Sequence, residues 1–153
     1  GGQPARAAFG NVVWNRDASY YASGAWRGKW ATEGGGVMIN QALHTLDIMQ
    51  WVCGMPKYVT AHVATDHLSD VMETEDTAMA RFTCEGGTVF HFYATVAAET
   101  DFPVLMRVRL ASGEVVEAEN DLLTCNKQIG KNRAVHFSSE EVLTCYETVI
   151  YKR

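Results

Sequence analysis

The sequence lacks the features that mark membrane and nucleic-acid-binding proteins. No apolar run in its 153 residues is long enough to cross a bilayer. Its 13 Lys and Arg residues are scattered, and 18 Asp and Glu residues outnumber them, for a formal net charge of -5. Because phosphate backbones are bound by clustered cations, we predict neither nucleic acid nor membrane as a partner.

The sequence also lacks paired cysteines. Its four cysteines, Cys53, Cys84, Cys125 and Cys145, form no CxxC motif. This pattern is typical of reduced, mostly buried thiols in a cytoplasmic protein, although spacing alone leaves one or two disulfides open. No further ligand stands at suitable spacing from His44 and Asp47, so no metal site is predicted. At 47% hydrophobic and 20% charged residues, we predict one globular domain spanning 1–153.

The most informative stretch is a glycine-led helix. Gly34, Gly35 and Gly36 form a start signal, and Gly54 followed by Pro56 is a stop signal, so one helix is predicted over residues 37–53. Helical periodicity places four side chains on one face: Asn40, His44, Asp47 and Trp51. Besides Cys53, only His44 and Asp47 are ionisable in this helix, so we expect it to be covered on both faces.

His44 and Asp47 are the candidate chemical groups. A buried histidine with a carboxylate one turn away suits proton transfer near neutral pH, and Asp47 would hold the imidazole in its working tautomer. Asn40, on the same face, would orient the histidine or a substrate hydroxyl. A structural histidine that is simply hydrogen-bonded in the core remains an alternative.

The segment 17–30 combines aromatic and basic side chains, and it is too irregular to predict a helix or strand. Aromatic faces can pack on sugar C–H groups, and the planar fork of arginine suits vicinal hydroxyls or a carboxylate. The candidate substrate contacts are Arg27, Trp26, Trp30 and Tyr21. The alternative is a loop that is pinned in place by its aromatic side chains.

Alternating patterns predict strands over 9–16 and 58–65, two hairpins (77–84 with 88–96, and 103–110 with 114–119), strands over 121–126 and 133–137, and a helix from Ser138. The acidic connection 66–76 is predicted to be solvated. This order predicts an α+β fold, an open, mainly antiparallel sheet with helices on one face. We expect the other face, with Phe90, Phe92, Val104 and Met106, to form a homodimer or higher homo-oligomer.

The residues of three segments carry a resemblance to a known family. Residues 33–54, preceded by WRGKW at 26–30 and followed by residues 73–95, resemble the C-terminal substrate domain of the glucose-fructose oxidoreductase, inositol dehydrogenase and rhizopine-catabolism (Gfo/Idh/MocA) family. The similarity runs from about Val12 to Tyr93. It implies an NAD- or NADP-dependent oxidoreductase of a sugar, polyol or related alcohol, with Asn40 and His44 at the positions beside nicotinamide and substrate.

Two departures from the family pattern stand out. Many members carry aspartate where this sequence has Asn40, so an anionic partner for the histidine is missing at that position. The glycine fingerprint of the dinucleotide-binding half and its catalytic lysine in an EKP-like motif have no counterpart in these 153 residues. We therefore expect that half to lie in a preceding N-terminal domain, and we expect this domain alone to bind no cofactor and to be inactive.

Two other functions fit the residues less closely. One is a stand-alone binding or dimerisation module that needs no cofactor. The other is a small lyase or isomerase using His44 and Asp47 directly, although no second acid-base group facing His44 stands out.

Overall fold

The structure, a computed structural model, describes residues 4–120 and the backbone of two strands beyond them. Its elements in chain order are β1 Ala5–Val13, α1 Ala18–Ala22, α2 Val37–Asn40, α3 Leu43–Cys53, β2 Pro56–Ala64, β3 Thr77–Cys84, β4 Val89–Thr95, β5 Leu105–Leu110, β6 Val115–Glu119, β7 Leu122–Asn126 and β8 Val135–His136. The helix predicted from Ser138 lies outside the described residues.

All eight strands form one sheet in the order β2-β3-β4-β1-β5-β6-β7-β8. Every neighbouring pair is antiparallel except β1 and β4, which run parallel. After β1 the chain passes through the three helices, enters the sheet again at the edge strand β2, and returns through β3 to β4, which pairs with β1 in parallel. Because β5 pairs with the other edge of β1, β1 lies at the centre of the sheet. The predicted α+β fold with a mainly antiparallel sheet is confirmed, as are both predicted hairpins.

The helix-covered face of the sheet holds the core. Alternation along β1 and β4 turns Gly10 and Phe92 toward α3, where an added Cβ on Gly10 would collide with the Met49 sulfur. Phe82 and Phe90 stack on the same face with ring centroids 4.4 Å apart. This close approach of helix to sheet buries the apolar side of α3 and fixes how the helix lies across the strands.

The opposite face of the sheet, here called the open face, carries different residues from those predicted. Phe90 and Phe92 are 0% and 2% exposed and belong to the helix-covered face. Met106 pairs with Gly10 and shares that face, and Val104 also packs against the core. The prediction was wrong because alternation defines two faces without saying which one the helices bury. The open face instead presents Phe9, Met79, Arg81, His91, Arg107 and Arg109.

The helices also differ from the prediction. Gln41 and Ala42 interrupt the single predicted helix, which becomes α2 and α3. The stop signal is confirmed, since Gly54 ends α3 and its N–H donates to the Gln50 carbonyl at 2.8 Å. The segment 17–30, expected to be irregular, contains α1, because the Asp17 carboxylate caps its first turn by accepting from the Tyr20 N–H at 3.0 Å.

The acidic connection before β3 is not solvated at its end, which corrects a second expectation. Glu75 and Asp76 are buried. Asp76 accepts hydrogen bonds from the backbone N–H groups of His67 and Leu68, at 2.8 and 2.9 Å. These acids are tolerated in the interior because they satisfy backbone donors there.

Two further observations concern the thiols and the helices. Cys53 and Cys84 are free and buried, and burial raises the pKa of the Cys53 thiol to about 12. Within the described part of the chain, no helix is both long and apolar enough to span a membrane.

Candidate functional site

The glycine turn seats α2 against Glu75, at the end of the connection between β2 and β3. Gly34 has a φ of 80°, which favours glycine, and the backbone of Gly36 lies so close to Glu75 that a Cβ would collide with its carbonyl oxygen. The Val37 N–H donates to that carbonyl at 3.0 Å, and the Met38 N–H donates to Glu75 Oε1 at 3.2 Å. The start of α2 is therefore fixed by Glu75, a contact that the sequence did not reveal.

This turn does not fit the phosphates of a dinucleotide. A phosphate site needs free backbone N–H groups at a helix start, but Glu75 already occupies those of Val37 and Met38. The buried Glu75 carboxylate would also repel an anion. The glycines thus serve close packing, and the described residues around them offer no cradle for a cofactor.

Asn40 is the last residue of α2, and a loop carboxylate holds its amide. Its Nδ2 donates to one oxygen of Glu33, and the other Glu33 oxygen accepts from the Gly28 N–H. Glu33 directly precedes the glycine run, and sequence reasoning missed it as a site residue. The only sequence signal was its place beside the motif, because the contact forms only when the chain turns back at Gly34.

His44 and Asp47 lie in the first two turns of α3, and both are exposed. Trp51, one turn further, is 64% exposed. The expectation that the helix is covered on both faces is wrong for this domain, because only the side bearing Thr45, Met49 and Cys53 packs inward. Neither His44 nor Asp47 is hydrogen-bonded to another side chain in the described range. The His44 imidazole is therefore free to contact a ligand at this surface.

The relation of Asn40 to His44 differs from that in a continuous helix. The chain between them, Gln41 and Ala42, keeps right-handed helical angles but interrupts the regular hydrogen bonding. Both residues still lie at the junction of α2 and α3. Their shared role therefore stays a prediction.

The basic and aromatic segment reaches this junction through Tyr20. Arg27 lies between two rings, its guanidinium carbon 4.2 Å from the Tyr20 centroid and 4.4 Å from that of Trp26. Its Nη1 donates to the Tyr20 hydroxyl at 2.6 Å, and Gln41 Nε2 donates to the same oxygen at 3.3 Å. Stacking and the hydroxyl hold the guanidinium, and no carboxylate of residues 4–120 pairs with it.

The other predicted contacts separate into exposed and buried side chains. Trp26 and Trp30 are exposed, as a substrate contact requires. Tyr21 is buried beside Gly28, and burial first, then the charge of Glu33, raises the pKa of its phenol. Its geometry favours packing over substrate contact, and Tyr20 is the tyrosine that reaches Arg27.

The fold and the site together define a class of protein. It is an α+β domain with one open sheet face, in which a glycine turn precedes a helix and an exposed histidine follows it. A family profile described as GFO/IDH/MocA C-terminal domain matches residues 5–116, most of the chain. The chain belongs to this family. No curated protein sequence matches it significantly.

Solved structures of dehydrogenases share the fold. The WlbA dehydrogenase from Bordetella pertussis, in complex with NADH and UDP-GlcNAcA, is 28% identical with a TM-score of 0.70, covering 76% of this chain and 35% of that one. The WlbA enzyme of Chromobacterium violaceum is 20% identical, with a TM-score of 0.71 and coverages of 97% and 46%. Levoglucosan dehydrogenase, bound to NADH and levoglucosan, is 16% identical, with a TM-score of 0.74 and coverages of 90% and 41%. The chain spans less than half the length of each.

Proposed function

We propose that the chain is the substrate-binding and dimerisation domain of an NAD- or NADP-dependent oxidoreductase acting on a sugar, polyol or related alcohol. Family membership supports this role, and the similar dehydrogenases were solved with NADH together with UDP-GlcNAcA or levoglucosan. The observation that carries it is the exposed His44 at the start of α3, shortly after the Asn40 amide that Glu33 holds.

His44 is the proton acceptor in this proposal. It takes the proton of the substrate hydroxyl while the hydride leaves the same carbon, and it returns the proton in the reverse reaction. Nicotinamide, held by a separate dinucleotide-binding domain, supplies the hydride acceptor when bound. Asn40 orients the hydroxyl or the imidazole. Asp47 lies three residues after His44 and is not bonded to it in the structure; its proposed role is to support the imidazole tautomer during the reaction.

A substrate screen tests the proposal in the two-domain protein, meaning this domain together with the dinucleotide-binding domain that we expect to precede it. We expect reduction of NAD or NADP with one class of sugar, sugar acid or polyol, and none by residues 1–153 alone. If no alcohol supports reduction while the 153-residue chain still binds a sugar, the stand-alone binding module would be the better account.

Arg27 is expected to bind substrate rather than to act in chemistry. Arg27→Gln should raise KM about 10–100-fold with kcat nearly unchanged, because a lost charged hydrogen bond is worth about 1.5–3 kcal/mol in ground and transition state alike. Steady-state kinetics of the two-domain protein measure this split. Lys57→Gln, which removes an exposed cation on β2, is the control. A fall in kcat at unchanged KM would contradict the assignment.

The open face is proposed as the homodimer contact. Met79 lies on it and is 53% exposed, and Phe9 lies near its centre on β1. Met79→Asp and Phe9→Asp should shift the protein toward monomer, because each replaces an apolar side chain that the contact would bury with a charged one. Sedimentation or light scattering reports the mass.

Val63 provides a matched control for that experiment. It is 55% exposed, yet its pairing with Ala78 places it on the helix-covered side of the sheet. Val63→Asp should leave the mass unchanged. Equal dissociation by Val63→Asp and Met79→Asp would place the contact at the β2 edge instead of on the open face.

A further inference from the structure

Glu33 is a half-buried acid whose two oxygens are both committed. One accepts from Asn40 Nδ2 and the other from the Gly28 N–H, so the carboxylate bridges the turn before the glycines and the end of α2. It forms no ion pair with any residue in the range 4–120. With no cation beside it, the Glu33 carboxylate is stabilised in this position by its two hydrogen bonds.

The Glu33 contact decides which way the Asn40 amide is turned. An ionised carboxylate can only accept hydrogen bonds, so Asn40 must offer its NH₂ group to Glu33. The amide oxygen, Oδ1, is then the atom left for another partner. Donation to a carboxylate also polarises the amide, which makes Oδ1 a stronger acceptor.

We propose that Glu33 is a positioning residue that sets Asn40 as a hydrogen-bond acceptor for a substrate hydroxyl adjacent to the one whose proton His44 takes. The inference rests on the proposed function. It also accounts for the amide at this position: an aspartate in place of Asn40 would put its carboxylate against that of Glu33, whereas the Glu33–Asn40 pair presents an acceptor without that repulsion.

A double-mutant cycle in the two-domain protein tests the proposal. Glu33→Gln should lower kcat about 10-fold with little change in KM, because the introduced glutamine can turn either amide atom toward Asn40. Asn40→Asp should lower kcat about 10–100-fold, because two carboxylates then face each other. The double variant Glu33→Gln with Asn40→Asp should recover to within about 3-fold of the unmodified protein, because the introduced glutamine can donate to the introduced aspartate.

A pH profile adds a readout that a merely structural role would not move. In Asn40→Asp the facing carboxylates raise the pKa of one of them, so the pair works while it shares a proton, and activity gains an added decline as pH rises. The unmodified protein and the double variant should lack this decline. Tyr21 also faces Glu33, but burial and the Glu33 charge raise its pKa, so it stays neutral here. Asp76 also raises the pKa of the Tyr21 phenol.

Thermal unfolding of the same four proteins separates this inference from the proposed function. If the unfolding temperatures follow the cycle but kcat falls in all three variants without recovery, the positioning role is overturned and the contact is structural. If His44→Ala retains full turnover, the proposed function fails, whatever the Glu33–Asn40 cycle shows. Recovery of kcat in the double variant, together with loss of the added pH dependence, supports the positioning role.

Discussion

His44→Ala is expected to lower kcat of the two-domain protein by about 10²–10⁴-fold, the range by which a positioned acid-base group accelerates proton transfer. His44 is exposed at the start of α3 and is bonded to no side chain within residues 4–120. It is therefore available to a substrate hydroxyl without the loss of any internal contact. Truncation should leave stability nearly unchanged, so the loss would report chemistry rather than folding.

Cofactor affinity is the decisive companion measurement. The glycine turn offers no phosphate cradle, and the dinucleotide is expected to bind the separate domain. His44→Ala should therefore leave the affinity for NAD or NADP within about 3-fold of that of the unmodified protein, as expected when only proton transfer is lost. Fluorescence titration measures the affinity, and initial rates measure turnover. His62→Ala, which removes an exposed histidine on β2, is the control. A large loss of cofactor binding would show that His44 supports the docked dinucleotide and not the proton transfer.

Asp47 provides a graded comparison in the same assay. It lies three residues after His44 on α3 and is also exposed, so its charge is screened by solvent. Asp47→Asn keeps the shape and should cost less turnover than His44→Ala, because it only supports the imidazole. A larger loss from Asp47→Asn than from His44→Ala would reverse the two roles.

The strands and hairpins were predictable because their signals are local. The runs that became β3 and β4 alternate between apolar and polar residues around Gly86 and Gly87, and the structure pairs them as expected. Likewise, Gly54 marked the end of α3 correctly. Each of these features depends on residues close together in sequence.

The burial of faces was less predictable because it depends on distant elements. Phe90 and Phe92 were assigned to the wrong face, since the packing of α3 over β1 and β4 decides it. Glu75 and Asp76 were expected in solvent, yet Glu75 is buried where it accepts from the N–H of Met38, which lies 37 residues earlier in the chain. Composition marks such acids as exposed, and only the fold supplies their donors.

The candidate site was predictable in its residue types but not in its connections. Asn40, His44 and Arg27 were proposed from the sequence, and the structure places Asn40 and His44 at one helix junction, which Tyr20 links to Arg27. Glu33 was missed because its bond to Asn40 requires the turn at Gly34. The exposure of His44 was missed because a helix poor in charge suggested burial, although its polar side faces outward.

Gly36→Ala is expected to destabilise the chain by about 3 kcal/mol or more, near the upper range for a single substitution that overpacks a fixed contact. The cost comes from lack of space beside the backbone of Glu75. The new methyl group would meet the Glu75 carbonyl oxygen, which already accepts from the Val37 N–H. Backbone at both sides must move, and the bonds that seat α2 would be lost.

The effect can be measured as the shift in denaturant midpoint, followed by circular dichroism, with Gly86→Ala as the matched control. Gly86 lies in the β3–β4 turn, and nothing stands within 4 Å of an added Cβ, so its substitution should change stability by less than about 0.5 kcal/mol. Equal effects from the two substitutions would show that the glycine turn can shift freely. If Gly36→Ala lowers stability and the protein that remains folded also loses turnover, the contact between the start of α2 and Glu75 also fixes the position of Asn40.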